Sequence, residues 1–163
     1  MNLRNLEIKD APYMLEWMHD PSVVEYMNAN FAEKTMEDCQ NFIQFSNIQN
    51  EDVNLAIVDE NDEYMGTVSL KHIDPREKNA EFAITIRKIA MGKGFSKFGM
   101  QEILKLGKEE YRLEKIIWCV SKENKRAVRF YDKSGYERIE NIPENILEHY
   151  PKNMLPDLLW YQY

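Results

Sequence analysis

The sequence predicts an α/β fold with a central mixed, mostly antiparallel sheet. Three strand-like runs follow one another at 53–58, 64–70 and 80–86, and an acidic turn at 59–62 joins the first two, which favours an antiparallel meander. A glycine loop, a helical pattern and another strand-like run then form a strand, helix, strand unit, whose right-handed crossover places the helix over the sheet. With 163 residues, 44% of them apolar, the chain has the size and core material of a single domain spanning residues 1–163.

The N-terminal part predicts one strand and two helices before this meander. Residues 3–8 alternate imperfectly in polarity, as a first strand would, and Asp10 is placed to cap the helix that follows. The Asp-Pro step at 20–21 ends that helix. Thr35 and Asp38 predict the capped start of a second helix. Its apolar side is predicted to consist of Phe42, Ile43 and Phe45.

The C-terminal half predicts two more helices and three more strands. Residues 97–108 have apolar positions at helical spacing, and residues 115–120 are typical of a strand. Asn124 is placed to cap a helix that ends at Gly135, just past its last turn. The final strands are predicted at 136–139 and 158–163, and residues 141–156 between them are predicted to form a loop beside the functional site.

Charge is unevenly distributed along the chain. The formal net charge is −7, which argues against general binding to nucleic acid or to an anionic membrane, since both need a broad cationic face. Residues 87–97 nevertheless carry +4, and residues 122–133 carry +3. These two stretches predict a local site for a polyanionic ligand, although solvated helix faces would show the same charges.

The cysteines and histidines predict neither a disulfide nor a metal site. Cys39 and Cys119 lie far apart with no secretory leader before them, so they are expected to be reduced thiols of a soluble, cytoplasmic protein. His19, His72 and His149 are scattered and are expected at the surface or in packing. No apolar run approaches the roughly twenty residues that span a bilayer.

The most informative segment runs from Met91 to Ser96 and contains Gly92 and Gly94. It lies between a predicted strand and a predicted helix. Glycines let the backbone approach a ligand closely, and the first N–H groups of a helix have no partner within it, so the loop can donate several hydrogen bonds to an anion. This placement predicts a pyrophosphate cradle, with an ordinary tight turn as the alternative.

A second segment, residues 120–136, strengthens this interpretation. It contains Asn124, Ala127, Phe130-Tyr131 and Gly135-Tyr136. Together with the glycine loop and the order of elements, it resembles the GNAT superfamily of N-acetyltransferases over nearly the whole chain. The resemblance implies a sheet of roughly six or seven strands flanked by about four helices. Residues 15–27 and 35–43 resemble the corresponding segments of the branch that includes ribosomal-protein N-acetyltransferases. Spermidine and amino-sugar acetyltransferases have similar N-terminal segments.

The resemblance implies direct transfer of an acetyl group from acetyl-CoA to an amine, without a covalent enzyme intermediate and without a metal. Tyr131 matches the position where many relatives have a tyrosine that protonates the departing CoA thiolate, the alternative being a packed aromatic side chain. Glu81 lies where several relatives carry an acidic residue facing the acceptor. It is the expected base. The alternatives are that a water relay removes the proton, or that Glu81 is only an exposed glutamate at the edge of the sheet.

Acetyl-CoA is the implied cosubstrate. The family's phosphate motif aligns with residues 91–96 and departs from the pattern at Met91 and Ser96, but it works mainly through backbone N–H groups, so donor binding is still expected. Asn124 is expected to contact CoA or an ordered water besides capping its helix, and Arg129 lies on a basic helix face suited to phosphates or solvent. The expected CoA-binding residues are Ile84 and Ile86, whose strand offers a backbone N–H to the thioester carbonyl, and Met91, Gly92, Lys93, Gly94, Phe95, Ser96, Lys97, Asn124 and Arg129.

These observations predict an N-acetyltransferase for a primary amine of a small molecule such as a polyamine or an amino sugar. The alternatives are an N-terminal acetyltransferase of a ribosomal protein and, from another class, a non-catalytic acyl-CoA-binding module. A homodimer is one expectation, since dimers are common among similar proteins, whereas neither nucleic acid nor membrane is expected as a partner. Glutamates that could attract a cationic amine, or could be solvated surface, are Glu16, Glu25, Glu33, Glu37, Glu140, Glu144 and Glu148.

Overall fold

Seven strands form one mixed sheet in the computed structural model, which describes residues 1–49 and 51–163. Their order is β1-β2-β3-β4-β5-β7-β6, and each neighbouring pair is antiparallel except β4 and β5, which are parallel. The predicted α/β fold with a mixed, mostly antiparallel sheet is confirmed. The strands are β1 (Asn2–Asn5), β2 (Val53–Val58), β3 (Tyr64–Asp74), β4 (Asn79–Ile86), β5 (Lys115–Ser121), β6 (Glu137–Ile139) and β7 (Leu158–Gln162).

Helices and short 3-10 turns connect these strands. The helices of the described residues are α1 (Ala11–Met18), α2 (Pro21–Val24), α3 (Met36–Ile48), α4 (Phe95–Glu109), α5 (Lys125–Lys133) and α6 (Glu144–Leu147). The 3-10 turns are Ile8–Asp10, Phe31–Glu33, Lys88–Ala90 and Lys152–Asp157. In this part of the chain, no helix has both the length and the apolar character needed to pass through a membrane.

Hydrophobic clusters cover both faces of the sheet. Helices α4 and α5 pack on one face, and α1 and α3 pack on the other. The alternation of strand side chains is visible on β2, where the neighbours Ala56 and Ile57 are both fully buried but belong to different clusters. Helix α4 lies close to the sheet at Gly99, where a Cβ atom would come within 2.4 Å of Ile57 Cδ1.

The N-terminal strand is shorter than predicted, and Asp10 does not cap α1. The strand ends at Asn5, and a 3-10 turn occupies Ile8–Asp10. The Asp10 carboxylate is buried and accepts hydrogen bonds from the Arg4 guanidinium, at 2.8 Å to each oxygen, and from the Glu7 N–H at 2.8 Å. The carboxylate is therefore engaged by β1 and the turn, and it makes no cap hydrogen bond to the helix.

The start of α3 is confirmed, and its predicted apolar side is right for Ile43 but wrong for Phe42 and Phe45. Thr35 Oγ1 accepts from the Asp38 N–H at 3.2 Å, and the Asp38 carboxylate accepts from the Thr35 N–H at 2.8 Å, which forms a capping box. Cys39 and Ile43 are the buried residues of the helix, whereas Phe42 and Phe45 are 40% and 63% exposed. Spacing by four places Cys39 and Ile43 on the face that meets α1 and the sheet.

Two boundaries near the functional site also differ from the prediction. Helix α4 begins at Phe95, two residues earlier than predicted, directly after Gly94, which has a left-handed conformation. The segment 141–156 contains α6 and most of a 3-10 turn where a loop was predicted, and Ile146 within it is fully buried. Ile146 packs against β5 and β7, and four partly buried side chains of the segment join it: Ile142, Leu147, Tyr150 and Leu155.

Candidate active site

Strands β4 and β5 separate after a short paired stretch. Their parallel register ends at the pair Glu81 and Ile117, although β4 continues to Ile86 and β5 to Ser121. Backbone groups on the β5 side of residues 82–86 therefore have no ladder partner among the described strands. The result is a gap that opens toward the carboxyl ends of both strands, with Glu81 at its closed end.

The glycine loop lies beyond the open end of this gap. Gly92 and Gly94 have φ angles of +75° and +88°, a left-handed conformation that favours glycine. Gly94 directly precedes α4, and the N–H groups in the first turn of this helix have no intrahelical acceptor. The N–H groups of residues 92–97 donate no hydrogen bond to any described residue. The loop therefore presents a run of free donors, as an anion cradle requires.

The basic residues predicted around this loop do not all face it. The Arg87 guanidinium is buried and donates to the Glu16 carboxylate at 2.7 and 3.1 Å and to the Glu63 carboxylate at 2.9 Å. This ion pair occupies Arg87, and it also occupies Glu16, one of the glutamates considered for attracting an amine. Lys93 and Lys97 are exposed at the loop itself.

Arg126 is the cation that reaches over the loop. Its Nη1 lies 3.6 Å from the Met91 sulfur, and its Nη2 would lie 4.0 Å from a Cβ atom on Gly92. Arg129, the residue predicted from the sequence, is exposed one turn further along α5. Arg126 and Phe130 lie four residues apart and therefore share a helix face. Had Phe130 been assigned to the site, this spacing would have favoured Arg126 over Arg129.

A cleft of about 500 Å³ lies between α4 and α5. Lys97 belongs both to this cleft and to the first turn of α4, so the cleft begins close to the glycine loop. Two ammonium groups and two aromatic rings give it the chemistry to hold a phosphate next to a flat ring. Its lining consists of Lys97, Gln101, Phe130, Lys133, Ser134 and Tyr136.

Glu81 is a buried carboxyl group and not an exposed edge glutamate. Its side chain is 7% exposed, and His72 Nε2 lies 3.7 Å from its Oε2. The hydroxyl of Tyr150, in the segment between β6 and β7, donates a hydrogen bond to its Oε1. Burial raises the pKa of Glu81 to about 7, which Lys71 opposes and Asp52 reinforces. A carboxylate with this pKa can accept a proton at neutral pH.

The groups around Glu81 were not indicated by the sequence. His72 and His149 are scattered along the chain, but their rings stack with centroids 3.6 Å apart. Cys119 lies on β5 near Glu81, and burial raises the pKa of its thiol to about 12, with Glu81 adding to the shift. The thiol therefore stays protonated and is a poor nucleophile.

Tyr131 approaches the sheet from the face opposite to Glu81. Its ring packs on Trp118 in the cluster that also contains Phe82, whereas Glu81, next to Phe82 on the strand, points to the other face. Burial raises the pKa of Tyr131, so the phenol is protonated at neutral pH. No described residue hydrogen-bonds to its hydroxyl. By contrast, side chains bind the hydroxyls of Tyr64, Tyr150 and Tyr161.

The remaining predicted residues border the gap or its neighbouring helix. Asn124 caps α5 as predicted, because its Oδ1 accepts from the Ala127 N–H at 3.2 Å. Ile84 and Ile86 lie on the part of β4 beyond its pairing with β5, and their side chains pack toward α4. Their backbone therefore lies beside the gap. Phe95 is buried and Ser96 half-buried in the first turn of α4.

The sequence matches a family model over most of its length. The model is described as an acetyltransferase (GNAT) domain, and it matches residues 1–137. The chain belongs to the GNAT acetyltransferase family. This GNAT protein is accordingly an acyltransferase that uses acetyl-CoA as its donor, and the alternative of a non-catalytic acyl-CoA-binding module is not supported.

Individual relatives and solved structures agree with this membership. An uncharacterized N-acetyltransferase, p20, from Bacillus licheniformis is 27% identical over 161 residues, covering 93% of this chain and 84% of the relative. Spermidine N(1)-acetyltransferase of Escherichia coli is 27% identical over 141 residues, covering 83% and 72%. The crystal structure of spermidine N-acetyltransferase from Vibrio cholerae in complex with CoA and spermine has a TM-score of 0.81 at 21% identity, covering 99% of this chain and 94% of the other. The Vibrio cholerae structure and this chain share the GNAT fold.

Proposed function

We propose that this GNAT protein transfers the acetyl group of acetyl-CoA directly to a primary amine of a small cationic molecule, such as a polyamine or an amino sugar. The observation that carries the proposal is Glu81, a buried carboxyl group with its pKa raised to about 7 at the closed end of the β4–β5 gap. An alkyl ammonium group must lose a proton before it can attack a thioester. Glu81 has the acid strength and the position to take that proton.

The two faces of the sheet divide the proton transfers in this proposal. Glu81 accepts a proton from the ammonium group on one face, and the freed amine attacks the thioester carbonyl carbon. A backbone N–H of residues 82–86 stabilises the oxyanion that forms. When the C–S bond breaks, Tyr131 donates its phenolic proton to the departing thiolate from the other face. The amide nitrogen still carries one extra proton at this point. Its transfer to the phenolate of Tyr131 restores the phenol.

The donor side of the proposal rests on free backbone N–H groups and nearby cations. The N–H groups of residues 92–97 are suited to the pyrophosphate of CoA, and Arg126 and Lys93 add positive charge beside them. The cleft between α4 and α5 suits the adenosine and its 3′-phosphate, which Lys97 and Lys133 would neutralise. Asn124 would contribute its amide, which is not engaged beyond the cap.

The acceptor side is favourable for a small cation. The Asn28 amide contacts the Met154 sulfur at 3.0 Å, so the segment after α2 meets the segment before β7. Exposed glutamates lie on both segments, Glu25 and Glu33 on one and Glu148 on the other. The relatives named as spermidine acetyltransferases support the same choice.

A panel of amines tests the proposed function. Release of CoA thiol from acetyl-CoA would be followed with spermidine, spermine, glucosamine and a basic peptide that has a free N-terminus. We expect thiol release with at least one small amine and acetylation of that amine by mass spectrometry. Release no faster than hydrolysis with all four acceptors would refute the proposal. Modification of the peptide alone would replace it with N-terminal acetylation of a protein.

Gly94→Ala is expected to raise the KM for acetyl-CoA by about tenfold, which corresponds to about 1.4 kcal/mol. An alanine at φ +88° is strained, and relief of the strain would turn the N–H groups of the cradle away from the donor. The KM for the amine is the control within the same variant and should change less than twofold, because the amine does not contact the cradle. An unchanged KM for acetyl-CoA in Gly94→Ala would contradict the cradle.

A further inference from the structure

His72 holds an unusual backbone conformation beside Glu81. Its φ angle is +54°, and it lies where the register between β3 and β4 shifts, between Lys71 and Asp74. The Asp52 carboxylate accepts a hydrogen bond from the His72 N–H at 2.9 Å, which anchors the backbone in this conformation. A left-handed residue in a bulge redirects its side chain relative to a regular strand.

The bulge directs the imidazole toward the buried carboxyl group. His72 Nε2 lies 3.7 Å from Glu81 Oε2, a separation that a small side-chain rotation or one bridging water closes. The His72 side chain is 35% exposed, against 7% for Glu81. Tyr150 donates to the other oxygen of Glu81, and the partly exposed His72 lies between Oε2 and solvent, where it can link the two.

Burial shifts the pKa values of the two groups in opposite directions. Burial raises the pKa of Glu81 to about 7. Burial also lowers the pKa of His72, and the stacked His149 lowers it further. With its pKa lowered, the His72 imidazole is neutral at neutral pH, so it can accept a proton and then give it up readily to water. The charged and titratable groups that face His72 are Glu81 on β4, Asp52 before β2, Lys71 on β3, and Glu148 and His149 after α6.

We propose that His72 carries the proton from Glu81 to solvent after each acetyl transfer. This proposal rests on the proposed function of Glu81. Glu81 takes one proton from the acceptor ammonium, and the neutral imidazole accepts it at Nε2 from the carboxyl group. The imidazolium then releases a proton to water, which returns both side chains to their starting states. One proton leaves per amide formed, as the conversion of an ammonium ion and a thioester to an amide and a thiol requires.

His72→Gly and His72→Asn test this relay, because glycine and asparagine both accept a positive φ and neither carries the proton. We expect kcat to fall about tenfold in both variants, with the KM values for acetyl-CoA and amine changed less than twofold. Added imidazole should restore kcat in His72→Gly, where it can occupy the vacated space. The acceptor would be the amine of the panel that the unmodified protein acetylates fastest. Lys78→Gly is the matched control, since Lys78 is exposed in the same hairpin with φ +54° and should keep its kcat.

The outcomes separate the relay from the proposed function. If the unmodified protein acetylates no amine, the proposed function fails and the relay fails with it. If the unmodified protein is active and His72→Gly keeps full kcat, the relay alone is wrong. A loss of kcat in His72→Gly that imidazole does not restore would also refute the relay, because a purely structural role predicts that result.

Discussion

Tyr131→Phe is expected to lower kcat by about 100-fold or more while leaving the affinity for acetyl-CoA unchanged. The substitution removes only the phenolic oxygen, and the ring that packs on Trp118 stays in place. Without a proton donor, the departing thiolate must leave as an anion and can attack the carbonyl again. The measurement is steady-state thiol release at saturating acetyl-CoA, together with calorimetric binding of CoA to the variant.

Tyr161→Phe is the matched control for this loss. Tyr161 is also buried, and its ring centroid lies 5.2 Å from that of Tyr131, but its hydroxyl donates to Asp132 at 2.9 Å. Removing that hydroxyl should cost stability and leave kcat near its original value. Equal kcat in Tyr131→Phe and the unmodified protein would show that Tyr131 is a packing residue, which was the alternative from the sequence.

Glu81→Gln is expected to lower kcat by about 100-fold near neutral pH, because glutamine cannot accept the ammonium proton. In the unmodified protein, kcat should rise with pH through the pKa of about 7, as the carboxyl group ionises. The rise should be absent in Glu81→Gln, and pH profiles of the two proteins measure it. Glu77→Gln changes an exposed glutamate in the same hairpin and should keep the profile. An unchanged rise in Glu81→Gln would assign the base to another group.

The same substitution is expected to stabilise the protein at high pH. The folded-state pKa of Glu81, about 7, lies above the ordinary value of 4.5, so the native state loses stability as pH rises through this window. Above it, the buried carboxylate costs about 3 kcal/mol of unfolding free energy, which Glu81→Gln avoids. Urea unfolding should show the variant to be more stable at pH 8 and the difference to shrink toward pH 5. A less stable variant at pH 8 would contradict the burial cost.

Local patterns predicted the secondary structure well where the local signal was strong. The Thr35 and Asp38 capping box and the Asn124 cap were both readable, because each depends on side chains within three residues of the helix start. Local patterns failed where a distant partner intervened. Asp10 has the right position for a cap, but Arg4 engages its carboxylate instead.

Within the site, some features of the glycine loop follow from the local sequence and others depend on distant residues. Its left-handed Gly92 and Gly94 and its position before a helix follow from the order of residues alone, because conformation at glycine and at a helix start is a short-range property. Which cations surround the loop does not follow. Arg87 lies five residues before Gly92 and is withdrawn into a buried ion pair, whereas Arg126 arrives from another helix.

The sequence by itself determined the family, the order of the elements, the glycine cradle and the identity of Tyr131 and Glu81 as candidates. Only the tertiary structure decided how acidic these candidates are and what surrounds them. The pKa of Glu81 depends on its burial and on the charges of Lys71 and Asp52, and His72 meets Glu81 through a strand bulge held by Asp52. Desolvation and Coulomb interaction act between residues close in space, whatever their separation along the chain, so no local pattern records them.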